Sequence, residues 1–240
     1  MLALIVPDCH LKPYMFDRAD KILASGQADF AVQLGDLVDD WGQQWRLDAY
    51  KATLDRALKF HEEHPDTLWV IGNHDALYLH PELPHSSGYS PLARPIVQPR
   101  LERLPFKVAH IVDNCVFSHA GIDKNWVWSL RPGWRGVSYD EVELGSLIEE
   151  ASPEDLWRQD SPLWLRPQLK SYEPFSNLWG ASFMLHVVGH TPVPAPIEKD
   201  HTILSTDTFS TYSNRLPIGD QTFVIVDTET REWRIAQEAK

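Results

Sequence analysis

Five short segments of this 240-residue chain carry aspartate, asparagine and histidine at close spacing: Asp8-x-His10, Gly35-Asp36-x-x-Asp39, Gly72-Asn73-His74-Asp75, Ser118-His119 and Gly189-His190. Each alone has an ordinary reading. An aspartate after a strand often caps a turn, and a lone histidine is more often hydrogen-bonded than metal-bound. Together they form a mixed oxygen and nitrogen donor set. Such a set suits first-row cations such as Mn, Fe or Zn, whereas Ca prefers oxygen alone. Two neighbouring cations need a bridging carboxylate, and Asp36 is the natural candidate. Cations roughly 3.5–4 Å apart activate a shared hydroxide and clamp both oxygens of an in-line displacement at phosphorus. A bound cation also brings the pKa of its water to about 7, so a nucleophile exists at neutral pH.

The elements that must position these residues follow from the apolar pattern. Leu2 to Val6, Phe30 to Leu34 and Thr67 to Ile71 are short apolar runs ended by Pro7, Gly35 and Gly72, the pattern of buried strands. Phe16 to Ala24 has a helical apolar face, and Leu47, Tyr50, Leu54 and Leu58 define a second helix closed by Pro65. Alternating strand and helix predicts an α/β layered fold with parallel neighbours. Every segment of chemical interest then leaves the carboxyl end of a strand, where ligands gather in such sheets.

Further on, the prolines between Leu79 and Pro105 predict an irregular surface excursion, able to form a rim over the site. Phe106 to His110 and Asn114 to Phe117 read as two strands about a turn. A helix is expected from Tyr139 to Glu150. Strands are expected at Met184 to Val188, Ile203 to Ser205, Thr222 to Val226 and Trp233 to Ala236. The segment 126–179 is rich in tryptophan, and Trp126, Trp128, Trp134, Trp157, Trp164 and Trp179 are expected to pack the core and a cap. No repeat or linker interrupts the chain, so one domain over 1–240 is expected.

Composition narrows the partners. The net charge of -12, from 34 acidic and 22 basic side chains, speaks against broad binding to nucleic acid or an anionic membrane. No apolar run approaches the ~18 residues that a spanning helix needs, and no basic segment precedes a long apolar one. Two cysteines, Cys9 and Cys115, cannot make a disulfide framework and read as reduced thiols. A cytoplasmic location is the expectation.

In this order the five segments resemble the calcineurin-like metallophosphoesterases, over Asp8 to about Asp207. The resemblance implies an α/β fold of two mixed sheets in a sandwich flanked by helices, with two divalent metals at the strand ends. Mn is the expected metal, with Fe or Zn as alternatives. Asp8, His10 and Asp36 would hold one cation, and Asp36, Asn73, His119 and His190 the other. His74 would be the general acid, oriented by Asp39, because a carboxylate partner raises an imidazole's pKa. Gly189-His190-Thr191-Pro192 without a second histidine resembles the protein-phosphatase and diadenosine-tetraphosphatase branch. Ser161-Pro162-Leu163-Trp164-Leu165-Arg166 is similar to an element of that branch in which the arginine grips phosphate, so Arg166 is the expected clamp. Arg131 and Arg135 are weaker alternatives.

The chain also departs from that pattern. Asp40 and Trp41 stand where protein phosphatases carry Arg-Gly after the second aspartate, and Leu11-Lys12 replaces a glycine after Asp-x-His. Lys12 is the nearest replacement cation in sequence. The expected activity is metal-dependent hydrolysis of phosphate monoesters, on phosphoprotein or a small phosphate ester, by attack of a metal-bridging hydroxide. The alternatives are a nucleotide-directed hydrolase of the diadenosine-tetraphosphatase kind, a phosphodiesterase, and outside the enzymes a non-catalytic metal-binding scaffold.

Overall fold

A computed structural model describes residues 1–131, 141–167, 178–180 and 183–238. Strand β1 (Leu2–Val6) is apolar on both faces, and the period of two divides its duties. Ala3 and Ile5 face a second sheet, where they meet Phe117, Val187 and Leu204. Leu4 and Val6 face the helices, with Phe16, Phe60 and Trp69. Helix α1 (Tyr14–Ala24) buries Met15, Phe16, Ala19 and Ile22. After β2 (Phe30–Gln33), helix α2 (Leu47–Glu63) buries Tyr50, Thr53, Leu54, Ala57 and Leu58, one continuous stripe. Burying each large apolar side chain on these faces contributes about 1.5–3 kcal/mol. The helix ends at His64, which precedes Pro65 and leaves helical geometry at φ -130.

The chain continues through β3 (Leu68–Val70), α3 (Asn73–Leu79), α4 (Arg94–Leu101), β4 (Phe106–Lys107), β5 (Ala109–Val112) and β6 (Cys115–Ser118). Then come α5 (Lys124–Leu130), α6 (Glu141–Glu149), α7 (Pro153–Leu156), β7 (Leu185–Val188), β8 (Ile197–Lys199), β9 (Ile203–Ser205), β10 (Val224–Asp227) and β11 (Trp233–Ile235). Among the described residues one sheet has the order β11-β10-β1-β2-β3-β4 and the other β5-β6-β7-β9-β8. Strands β1 to β4 run parallel, as do β6, β7 and β9, while the outer partners are antiparallel. Two mixed sheets flanked by helices make the α/β sandwich that the family resemblance implied.

Two expectations need correction, and one strand had none. The excursion from 79 to 105 is not wholly irregular, because α4 forms within it. Pro95 sits in the first turn, where its missing N–H had no helical partner to lose, and Pro99 is tolerated in a helix of only eight residues. Phe106 to His110 is not one strand. Phe106 and Lys107 pair with β3 in the first sheet, and from Ala109 the chain pairs with β6 in the second. The short edge strand β8, whose burial pattern is exposed, intermediate, exposed, has no apolar run to announce it. Trp126 lies in the core beside the second sheet, with Trp128, Trp157, Trp164 and Trp179 packed against it. Trp134 and Arg135 lie outside the described residues.

Candidate active site and metal centre

The parallel strands bring their carboxyl ends to one edge of the sandwich. From the first sheet come Asp8 after β1, Asp36 and Asp39 after β2, and Asn73 and His74 after β3. From the second come His119 after β6, His190 after β7 and Asp207 after β9. The two sets are tied together. The His190 backbone N–H donates to the Asp8 carboxylate, 3.0 Å from each oxygen, and His119 Nδ1 donates to the Leu34 carbonyl at 2.8 Å.

Approach is close enough to demand glycine. A Cβ on Gly72 would lie 2.2 Å from Asp36 Oδ1, and one on Gly189 would lie 2.0 Å from Asp8 Oδ1. The ligand-bearing turns are also strained. His10, Asp36, Asp39 and His190 have φ of 43, 53, 60 and 61°, in the left-handed region that non-glycine residues rarely adopt.

Two groups of ligand-type side chains share Asp36. Asp8, His10 and Asp36 form one, and Asp36, His119 and His190 the other, with donor atoms in each within 4.8 Å of one another. The Asn73 amide oxygen lies 3.0 Å from His119 Nε2, which is 3.1 Å from His190 Nδ1 and 3.4 Å from Asp36 Oδ2. His10 Nδ1 donates to the Asp39 carbonyl at 2.8 Å, which fixes its ring and leaves Nε2 facing Asp8 at 3.9 Å and Asp36 at 3.7 Å. Every residue expected from the sequence as a metal ligand is therefore at this edge. Lone pairs of three imidazoles, two carboxylates and an amide converge in a nearly buried space, and His190 Nε2 has no hydrogen-bond partner among the described residues. That donor chemistry fits first-row cations.

The electrostatics carry the same tension. Burial, and then the charges of Asp207 and Asp36, push the Asp8 carboxyl well above its ordinary range. Asp36 is also penalised by burial, but His119, His74 and His10 outweigh that and hold it well below. Burial works against a charged His119, yet Asp36 lifts it to about 9. Asp75, pushed up to about 7 by burial and Asp36, instead holds the turn together. Its carboxylate accepts from the Leu37 and Gly72 N–H groups at 3.0 and 3.1 Å.

His74 stands beside this centre. Its backbone N–H donates to Asp36 Oδ1 at 2.9 Å, and its ring Nδ1 donates to Asp39 Oδ2 at 3.0 Å. Asp39 Oδ1 accepts from the hydroxyls of Tyr50 at 2.7 Å and Tyr78 at 2.6 Å. Burial and the adjacent carboxylate push both phenols upward, so both remain donors. Despite burial, Asp36 and Asp39 raise His74 to about 9, leaving Nε2 as the proton-bearing tip. Nothing in sequence joined the two tyrosines to Asp39, because spacing marks Tyr50 only as a helix-face position and gives Tyr78 no role.

A cavity of about 620 Å³ opens over these groups, and Arg166 lines it. The guanidinium donates to the His190 carbonyl at 3.1 Å and to Thr191 Oγ1 at 3.0 Å, which holds it at the site. Arg131 pairs with Glu150 at 3.7 Å and is not among the lining residues. Lys12 is turned inward. Its ammonium donates to the His10 carbonyl at 3.1 Å and pairs with Asp40 at 3.7 Å, so the Asp40 charge is neutralised within the protein. Cys9 is buried, its thiol pushed up to about 12 by burial, and donates to the Lys12 carbonyl. Part of the proline-rich excursion does form a wall of the cavity, through Ser86, Ser87 and Gly88. Ser90 anchors it, its N–H on the Tyr78 hydroxyl and its own hydroxyl on the Gln44 carbonyl.

Residues 1–202 match the calcineurin-like phosphoesterase family, and the chain belongs to that family. No curated protein matches it in sequence. Among solved structures it is similar to a point mutant of a cold-active protein tyrosine phosphatase, with 14% identity, a TM-score of 0.60 and coverage of 98% of this chain and 80% of that one. It is also similar to a protein serine/threonine phosphatase from Saccharomyces cerevisiae (13%, TM-score 0.57, 100% and 81% covered). A metallophosphoesterase from Sphaerobacter thermophilus is comparable (15%, TM-score 0.52, 99% and 88%). At such identities the likeness is one of fold. Family and fold together make the chain a metal-dependent phosphoester hydrolase. Among the described residues no helix is long and apolar enough to cross a membrane.

Proposed function

We propose that the chain hydrolyses phosphate monoesters at this edge, using two divalent cations. Asp8, His10 and Asp36 would hold one cation, and Asp36, Asn73, His119 and His190 the other. Such a pair, when bound, acidifies a water molecule and neutralises charge on the phosphoryl group. The rest falls to the chain. Arg166, held by His190 and Thr191, presents a permanent cation to the phosphoryl oxygens and orients them. His74 Nε2 delivers a proton to the departing oxygen, and Asp39 keeps the ring in the tautomer and orientation for it. Tyr50 and Tyr78 fix Asp39 in turn. Ser86 to Gly88 line one side of the cavity.

The His74–Asp39 pair, clamped by two tyrosines beside the shared-carboxylate donor set, is the observation that carries this reading. A non-catalytic scaffold would have no use for a proton donor so supported. The test uses chelator-stripped protein refilled with Mn, Fe, Zn or Mg, assayed on an aryl phosphate monoester, its diester and diadenosine tetraphosphate. Monoester turnover that depends on metal and collapses in His74→Asn is expected. A preference for the diester or for the dinucleotide would move the assignment to those alternatives, and failure to hold two metal equivalents would end the two-cation reading.

A further inference from the structure

The two rims of the cavity differ in chemistry. Around the convergent ligand set lie charge and imidazole, with Trp164 edge-on to His190 at 5.8 Å between ring centroids. Away from it the lining residues are Trp41, Tyr212, Ile218, Pro192 and a run of neutral hydroxyls at Ser210, Thr211 and Ser213. Among the described lining residues Arg166 is the one permanent cation, and Arg215 does not line the cavity. The described lining can thus grip one phosphoryl group, and among the described residues it adds no second side-chain cation for a chain of phosphates.

Two of these rim residues are large, flat and solvent-facing, with Trp41 50% and Tyr212 55% exposed. Neither position is accidental. Asp40 Oδ1 accepts from the Trp41 backbone N–H at 2.8 Å and from Thr211 Oγ1 at 3.2 Å. One carboxylate therefore clasps the loop after β2 to the loop after β9, and the next residue on each side of the clasp is an aromatic. Lys12 backs the clasp from below through Asp40. Tyr212 is pinned further by a tight turn, in which its N–H donates to the Leu216 carbonyl at 2.9 Å and its carbonyl accepts from Arg215 N–H at 2.8 Å. A pinned backbone lowers the ordering cost of binding at these exposed aromatics, whose faces stack on a flat ring.

We infer that Trp41 and Tyr212 form a subsite for a flat aromatic ring on the leaving group, so that the substrate is a monoester joining one phosphate to an uncharged aromatic alcohol. The inference rests on the monoesterase reading above and names its substrate class. The ring chemistry is shared by a phenol ester and by a nucleoside monophosphate, which differ in the distance from phosphorus to ring. Asp40 has a positive reason to be where an arginine is common. It exchanges a phosphate contact for the clasp that sets this rim.

The test compares benzyl phosphate with cyclohexylmethyl phosphate on the metal-reconstituted full chain. Their leaving alcohols match in size and nearly in reactivity, and only one is flat and aromatic. A preference of about tenfold in kcat/KM for the benzyl ester, carried by KM, is expected, the order seen when a ring stacks on one aromatic side chain. Trp41→Ala and Tyr212→Ala should each reduce the ratio between the two esters several-fold, whereas Tyr212→Phe, which keeps the ring, should retain it. Calorimetric titration with benzylphosphonate and cyclohexylmethylphosphonate reads the same preference without turnover. Phosphotyrosine against AMP then separates the short reach from the long one. A ratio near one in the unaltered protein, or a ratio that survives both alanine variants, overturns the inference. If both esters turn over equally, the monoesterase reading stands without the subsite. If benzylphosphonate binds selectively yet no ester turns over with any metal, the subsite stands and the monoesterase reading falls.

Discussion

His74 is the residue on which proton delivery depends, and its surroundings set its working range. Asp36 and Asp39 outweigh the penalty of burial and raise its pKa to about 9. The required form is the protonated one, so activity is present below that value and lost as pH rises through it. Cations bound at Asp36 oppose the rise, which places the alkaline limb of the loaded enzyme at or below about 9. Asp39→Asn removes a negative charge and an acceptor, so the limb of a kcat profile should move toward the ordinary imidazole value near 6.5. A limb that stays in place would assign the titration to another group. His74→Asn should lower kcat by roughly 10²–10⁴, the usual worth of a general acid, while metal content measured by mass spectrometry stays at the level of the unaltered protein. Loss of metal in that variant would make His74 a structural support instead.

Strand exits are the elements that build the centre, and glycine lets them meet. Gly189→Ala would place a methyl group 2.0 Å from one oxygen of the buried Asp8 carboxylate and 3.5 Å from the other. Asp8 would have to swing out of the donor set. Metal affinity should fall by at least tenfold, readable by titration with a chromogenic chelator. Gly145→Ala, on α6 with nothing within 4 Å of the added carbon, serves as the control. The exits of β1, β2, β3 and β7 were legible in sequence because each of these buried strands is a short apolar run that meets Pro7, Gly35, Gly72 or Gly189, with a polar residue immediately after. What was not legible depends on contacts between distant segments. Tyr50 reads as helix-face core and Tyr78 carries no sequence signal, and only the fold turns their hydroxyls onto Asp39. Val108 gives no sign that the chain changes sheets there. Pro95 and Pro99 read as breakers, although the first turn of a helix tolerates one and a short helix survives the other. The Asp40 clasp joins positions 171 residues apart and has no local signature.

At the scale of the whole molecule, stability is linked to pH and to metal through buried ionisable groups. His186 lies in β7 with Nε2 donating to the Trp179 carbonyl at 2.7 Å, and burial lowers its pKa to about 4. The fold prefers the neutral ring, so this contribution is complete above the unfolded value near 6.5 and is lost as pH falls from there to about 4. The difference corresponds to about 3 kcal/mol. Chemical denaturation of His186→Gln should show a flatter decline over that window, and an unchanged decline would place the acid sensitivity elsewhere. Metal acts in the opposite direction. Asp8 is raised by burial and by Asp207 and Asp36, and Asp75 is raised to about 7, so in the stripped protein their ionisation works against the fold as pH rises. A cation neutralises that cluster and binds only the folded chain. At a hundredfold excess over Kd one site contributes about 2.7 kcal/mol. For a domain of this size that is roughly 5–10 °C in Tm. Chelation should therefore lower Tm by about that amount per site, and the gap between loaded and stripped protein should widen from pH 6 to pH 8. A gap that narrowed over that range would mean that the carboxylates at this edge are already neutralised from within the protein, and that the convergence of Asp8, Asp36 and Asp207 is a packing arrangement and not a cation site.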